Sequence, residues 1–196
     1  MKKEQYAIFE EEHTNRNKRR DRWFDTLVNL LPENPVCAEV GVSVGVNSSR
    51  IIDILKPKKF YMIDPWVFDD DHLDKKPARH IYMKEFVYDK LSHISCVEIV
   101  EDYSYNVFSK FSDNYFDFVY IDGEHDYKNV MRDLECIFPK VKVGGMIAGH
   151  DYYKRHGVVS AVNEFIESKN IKKHHLPKRR SQHGCDGNSD FFFIKE

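Results

Sequence analysis

Along most of the chain, short runs of β-branched and aromatic residues alternate with stretches in which apolar positions recur every three or four residues. Runs at 36–40, 60–64, 96–100, 116–122 and 145–149 predict strands. The intervening segments 47–55, 79–92, 104–111, 128–141 and 158–169 carry helical periodicity. An earlier helix is predicted over 23–31, where Trp23, Phe24, Leu27, Val28, Leu30 and Leu31 share a stripe before Pro32 and Pro35 end it. Strand-helix-strand units of this size need parallel pairing with right-handed crossovers, so helices must cover both faces of the sheet. The segment 190–194 (DFFFI) breaks the alternation, because no helix follows it, and it reads as a late antiparallel strand.

Residues 1–22 are densely charged, with Arg16, Lys18, Arg19, Arg20 and Arg22 crowded together, and form either an arm or a polar helix. Residues 23–196 then make one domain, which suits the length of 196 residues. Further polar segments are a charged loop at 69–76 and a basic, His-rich loop at 172–183. The latter is either a solvated loop or a surface for an anionic acceptor.

Thirty basic residues against 32 acidic ones, net charge -2, argue against a general nucleic-acid or membrane partner, because neither polyanion meets a positive field. A small-molecule substrate is expected, with oligomeric state left open. Cys37, Cys96, Cys136 and Cys185 show no metal-type spacing and read as reduced thiols. The N-terminal stretch has no apolar leader core and no run is long enough to span a bilayer, so a cytoplasmic location is expected.

Candidate chemistry gathers where strands end. The first strand runs through Glu39 into the turn Gly41-Val42-Ser43-Val44-Gly45, whose glycines let a ligand approach the backbone. The second ends at Asp64, placed to accept hydrogen bonds from ribose hydroxyls, or else to cap its own loop. A nicotinamide dinucleotide would need Gly-x-Gly-x-x-Gly, yet Ser43 occupies the middle glycine position and Val46 follows Gly45. Glu39 would repel a pyrophosphate and could instead hold an ammonium group.

From about Val36 to Ile194 the sequence resembles the class I S-adenosylmethionine-dependent methyltransferases. The resemblance implies a doubly wound, mostly parallel seven-stranded α/β sheet of Rossmann-like type with an antiparallel C-terminal strand. It implies S-adenosyl-L-methionine as cofactor, with Glu39, Gly41, Ser43 and Gly45 around its amino-acid end and Asp64 on the ribose. Pro65 and Trp66 would wall the adenine, Asp102 and Tyr103 would meet its amino edge, and Asp122 would close the pocket.

At the reacting end, Ile121-Asp122-Gly123-x-His125 and Gly144-Gly145 through His150-Asp151-Tyr152 resemble, more narrowly, the small-molecule O-methyltransferases, including sugar-modifying ones. That branch implies Mg²⁺ on Asp122 and Asp151, with His150 standing where a second acid is usual, and it gives His125 the place of a general base. His125 otherwise caps the helix starting at Asp126. His150 otherwise bonds backbone at a loop start, and Glu124, Asp126 and Tyr127 read as helix N-terminal residues. Tyr152 and Tyr153 line an acceptor site or pack. The expected activity is in-line O-methylation of a small hydroxylated acceptor. The rivals are a nicotinamide-dependent oxidoreductase and a non-catalytic S-adenosylmethionine-binding partner protein.

Overall fold

The computed structural model describes residues 2–67, 79–152, 156–176 and 190–196, without the side chains of 15–23, 25, 26 and 156. The charged loop 69–76, Tyr153, Cys185, the Trp23 side chain and the basic loop beyond residue 176 lie outside the described residues.

A seven-stranded sheet has the order β3-β2-β1-β4-β5-β7-β6. Its strands are β1 (Val36–Val40), β2 (Lys59–Ile63), β3 (Val97–Val100), β4 (Phe116–Ile121), β5 (Val141–Gly149), β6 (His174–His175) and β7 (Phe191–Ile194). Strands β1 to β5 pair in parallel, whereas β7 runs antiparallel to β5 and β6. The expected fold class is the one observed. The two-residue strand β6 lies within the loop expected over 172–183, being too short and too exposed to show a strand pattern.

Alternate side chains feed two cores. Val36, Ala38 and Val40 face α4 (Ser104–Phe108), α5 (Tyr127–Ile137) and α6 (His156–Ser168). Cys37, Phe60, Met62 and Phe118 face α1 (Lys2–Val28), α2 (Val46–Arg50) and α3 (Arg79–Leu91). Burial on both faces is why these strands read as continuous apolar runs. Cys37 is buried, Cys96 and Cys136 are half-buried, and all three are free thiols.

Helix boundaries differ from expectation in three places. The predicted helix over 47–55 is α2 followed by a wider π-turn at Ile51–Leu55. Helix α5 stops at Ile137 because Pro139 turns the chain into β5, which starts earlier than predicted, at Val141. Residues 2–28 form one helix, with Phe9, Phe24 and Leu27 fully buried.

Helix α1 lies along α3. Tyr6 Oη donates to Asp89 at 2.8 Å, and Lys2–Glu85 and Lys90–Glu10 pair at 2.8 Å. Exposed pairs of this kind contribute about 0–1 kcal/mol each, so the buried aromatic contacts Phe9–Phe86 and Tyr6–Phe86 do more to dock the helix. His13 Nε2 donates to the Val44 carbonyl at 2.7 Å and ties α1 to the turn after β1. Among the described residues no helix is long and apolar enough to cross a membrane.

Candidate active site

Between β1 and β4 the chain reverses its direction of travel across the sheet, and at such a switch point the loops after the strands separate into a cleft. The cleft here has a volume of about 570 Å³. Residues from the tips of β1, β2 and β4 and from the starts of α4 and α5 line it.

Two close backbone crossings hold these tips. Gly41 N donates to the Ile63 carbonyl at 3.0 Å, and Asp122 N donates to the Val40 carbonyl at 2.7 Å. Gly41 has φ +86°, and a Cβ there would stand 2.1 Å from the Asp122 carbonyl oxygen. Glycine is thus required by the protein's own packing as well as by any ligand. Gly45 begins α2 with φ +76°, and its open side faces Leu91 rather than the cleft.

Asp64 organises the floor. Its Oδ2 accepts from Ser43 N at 2.9 Å and its Oδ1 from Trp66 N at 2.7 Å, while Trp66 Nε1 donates to the Ser43 carbonyl at 2.9 Å. Burial pushes the Asp64 pKa up, and the backbone N–H groups oppose that shift. Ser43 and Trp66 both adopt left-handed backbone, φ 54° and 45°, a cost the interlocked bonds offset. A carboxylate has about four lone-pair sites, so two such bonds leave capacity for hydroxyl donors.

Three expected cofactor residues lie elsewhere. Glu39 is buried, accepting from Asn47 Nδ2 at 2.8 Å and from Ser48 Oγ, so its carboxylate stabilises the start of α2 and does not line the cleft. Gly45 is likewise absent from the lining. Asp102 accepts from Tyr103 N and Asn106 Nδ2, both at 2.8 Å, and lies 3.4 Å from Lys110 Nζ; it serves its own helix start, while Tyr103 does line the cleft. Gly41, Ser43, Asp64, Pro65, Trp66, Tyr103 and Asp122 all line the one cleft.

At the other end Asp122, His125 and Asp151 each offer a ligand atom, all within 4.8 Å of one another. His125 Nε2 lies 3.1 Å from Asp151 Oδ2. His150, expected beside the metal, is not one of the three: its Nδ1 donates to Asp190 Oδ1 at 2.7 Å, and Tyr120 Oη donates to the same oxygen at 2.5 Å. Its Nε2 stands 3.7 Å from Asp151 Oδ1. A polar line therefore runs Tyr120, Asp190, His150, Asp151, His125. Asp126, not His125, is the side-chain cap of α5, accepting from Asn129 N at 3.1 Å. Tyr152 packs, donating to Asn163 Oδ1 at 2.6 Å, and is absent from the cleft lining.

Sequence reasoning missed Asp133. It lies in the cleft lining on the buried face of α5 shared with Val130, Leu134 and Ile137, and its Oδ1 accepts from Ser104 Oγ. An acid on an apolar helical stripe was the available signal. Burial raises its pKa to about 6. The folded chain therefore holds the proton at pH values where the unfolded chain has released it, and stability falls as pH rises from about 4 to about 6. Asp133→Asn should accordingly raise stability above pH 6 by up to ~3 kcal/mol, a shift of roughly two pKa units. The gain should vanish below about pH 4, where the carboxyl is neutral in both states. Urea melts of both proteins at pH 4 and pH 8 check this; an equal difference at the two pH values would contradict it.

Residues 38–152, more than half of the chain, match the family model of a methyltransferase domain. No curated protein matches the sequence significantly. Among solved structures, a protein of Streptococcus mutans provisionally named a methyltransferase, in complex with SAH, is similar at TM-score 0.66 and 15% identity, with 91% of this chain and 98% of that one covered. A Methanococcus maripaludis protein provisionally named an S-adenosyl-L-methionine-dependent methyltransferase aligns over 99% of this chain and 93% of its own, at TM-score 0.66 and 14% identity. An rRNA methylase from Streptococcus thermophilus aligns over 91% and 98%, at TM-score 0.62 and 15% identity. With more than half of its length matching the family model and the cleft standing at the switch point of the sheet, this chain belongs to the methyltransferase domain family.

Proposed function

We propose that this enzyme methylates a hydroxyl of a small acceptor, such as a sugar or sugar conjugate. The observation that carries the reading is one cleft running from Asp64 to the cluster of Asp122, His125 and Asp151. The cofactor ribose would rest on Asp64, with the sulfonium methyl directed toward His125. Direct in-line transfer needs little from the protein beyond alignment and removal of the hydroxyl proton.

With the Nε2 proton of His125 directed at Asp151 Oδ2, the ring's lone pair is on Nδ1, and Nδ1 takes the acceptor's proton as the oxygen attacks. The reagents balance as the methyl passes from sulfur to oxygen and the proton from oxygen to nitrogen, leaving S-adenosylhomocysteine. His150, held through Nδ1 by Asp190, stands with its Nε2 3.7 Å from Asp151 Oδ1.

The same three side chains suit a divalent cation, since two carboxylates and one imidazole bring ligand atoms within 4.8 Å of one another. The imidazole favours Mn²⁺ over the Mg²⁺ expected from sequence. When bound, the ion would acidify a coordinated hydroxyl. A net charge of -2 supports a small acceptor over an RNA, even though two structural neighbours are named rRNA methylases, one of them provisionally.

The test is transfer of labelled methyl from S-adenosylmethionine to a panel of glycosides, nucleotide sugars and ribosomal RNA, with Mn²⁺ or with chelator. Label in an ether of a small acceptor supports the proposal; label in RNA or on nitrogen overturns it. His125→Ala should lower turnover about 100-fold with cofactor affinity unchanged.

A further inference from the structure

The adenine amino edge needs an acceptor, and Asp102, which the family resemblance places there, is absent from the cleft lining and serves Tyr103 N, Asn106 and Lys110. Asp133 is differently placed. It lines the same cleft, and Ser104 donates to its Oδ1, holding the carboxylate in one orientation. The Oδ2 atom lies 3.8 Å from where a Cβ on Gly123 would stand, beneath the backbone that follows β4. Tyr103 and Tyr105 lie beside it on α4 and its approach, and the Arg132 guanidinium sits 4.2 Å from the Tyr105 ring centroid. Burying a carboxylate on an otherwise apolar helix face is costly unless a donor arrives to use it. No role in methyl transfer requires it, since the reacting cluster is Asp122, His125 and Asp151.

We propose that Asp133, braced by Ser104, is the residue that reads the adenine, accepting a hydrogen bond from its exocyclic amino group and so setting the enzyme's preference for an adenosyl cofactor. The assignment rests on the reading of the cleft as an S-adenosylmethionine site. A ligand with a carbonyl in place of the amine would set oxygen against buried oxygen, and a site built for a donor rejects such an analogue strongly.

The experiment is calorimetric titration of wild type and Asp133→Asn with S-adenosylhomocysteine and with its deaminated analogue, S-inosylhomocysteine, after melting curves confirm that the variant folds. Wild type should prefer the adenosyl compound by about 100-fold or more. In Asp133→Asn the amide can turn its NH₂ toward the carbonyl, and the preference should fall to within about tenfold. A wild type that binds both alike, a ratio unaltered in Asp133→Asn, or a ratio that collapses only in Asp102→Asn would each overturn the assignment. Failure of wild type to bind either compound would instead remove the S-adenosylmethionine reading itself.

Discussion

Asp64→Asn should weaken S-adenosylhomocysteine binding by about 100-fold or more, because a carboxylate serving two ribose hydroxyls supplies about 3 kcal/mol that a neutral amide cannot. The substitution keeps size and shape, so the loss reflects chemistry. One amide face would also confront a backbone N–H with an NH₂ group, since both carboxylate oxygens already accept, from Ser43 N and from Trp66 N. The left-handed backbone at Ser43 and Trp66 is held by those two bonds, so the turn after β1 should loosen together with the ligand contact. Calorimetry gives the affinity, and Trp66 fluorescence reports the turn. An affinity within threefold of wild type would place the ribose elsewhere.

Gly41→Ala should be the most destabilising single methyl addition in the site. The new Cβ would stand 2.1 Å from the Asp122 carbonyl oxygen and 2.6 Å from Gly123 N, backbone atoms of one peptide that cannot swing away. It would also force a side chain onto φ +86°. Overpacking and backbone strain together should cost ~4 kcal/mol. In a chain of this length that lowers the melting temperature by roughly 10 °C. By contrast, Gly144→Ala has nothing within 4 Å of the added carbon and meets only the cost of φ +80°, so it serves as the strain-only comparison. Equal melting temperatures for the two variants would show that the β1 and β4 tips separate more easily than their hydrogen bonds suggest.

The mostly parallel sheet was legible because strands buried on both faces must be apolar throughout, and the strand-end positions because glycine and acid there have few other uses; the strand order was not. Asp64, Gly41 and Asp122 were legible for the same reason. Glu39 misled because an acid before a glycine turn looks the same whether it faces a ligand or the first turn of α2; only Asn47 and Ser48, eight and nine residues on, decide it. His150 misled because its partner, Asp190, stands 40 residues away, and no local pattern encodes that contact. Asp133 is not legible in the sequence because a single acid on an apolar helical stripe acquires its meaning only when α4 brings Ser104 against it. Strand β6 escaped because its pairing is dictated by β7 and not by its own two histidines.

The buried junction of Tyr120, His150 and Asp190 also bears on how the antiparallel edge finds its place. Phe191 pairs with Gly149 and Phe193 with Ile147, and four consecutive apolar residues would fit the neighbouring strand almost as well after a slip of one position. Such a slip would swing Asp190 to the opposite face and leave the Tyr120 hydroxyl and the His150 imidazole N–H without the acceptor they share, inside the protein. One acid thereby works as a register key, converting a run of interchangeable phenylalanines into a strand with a single allowed alignment.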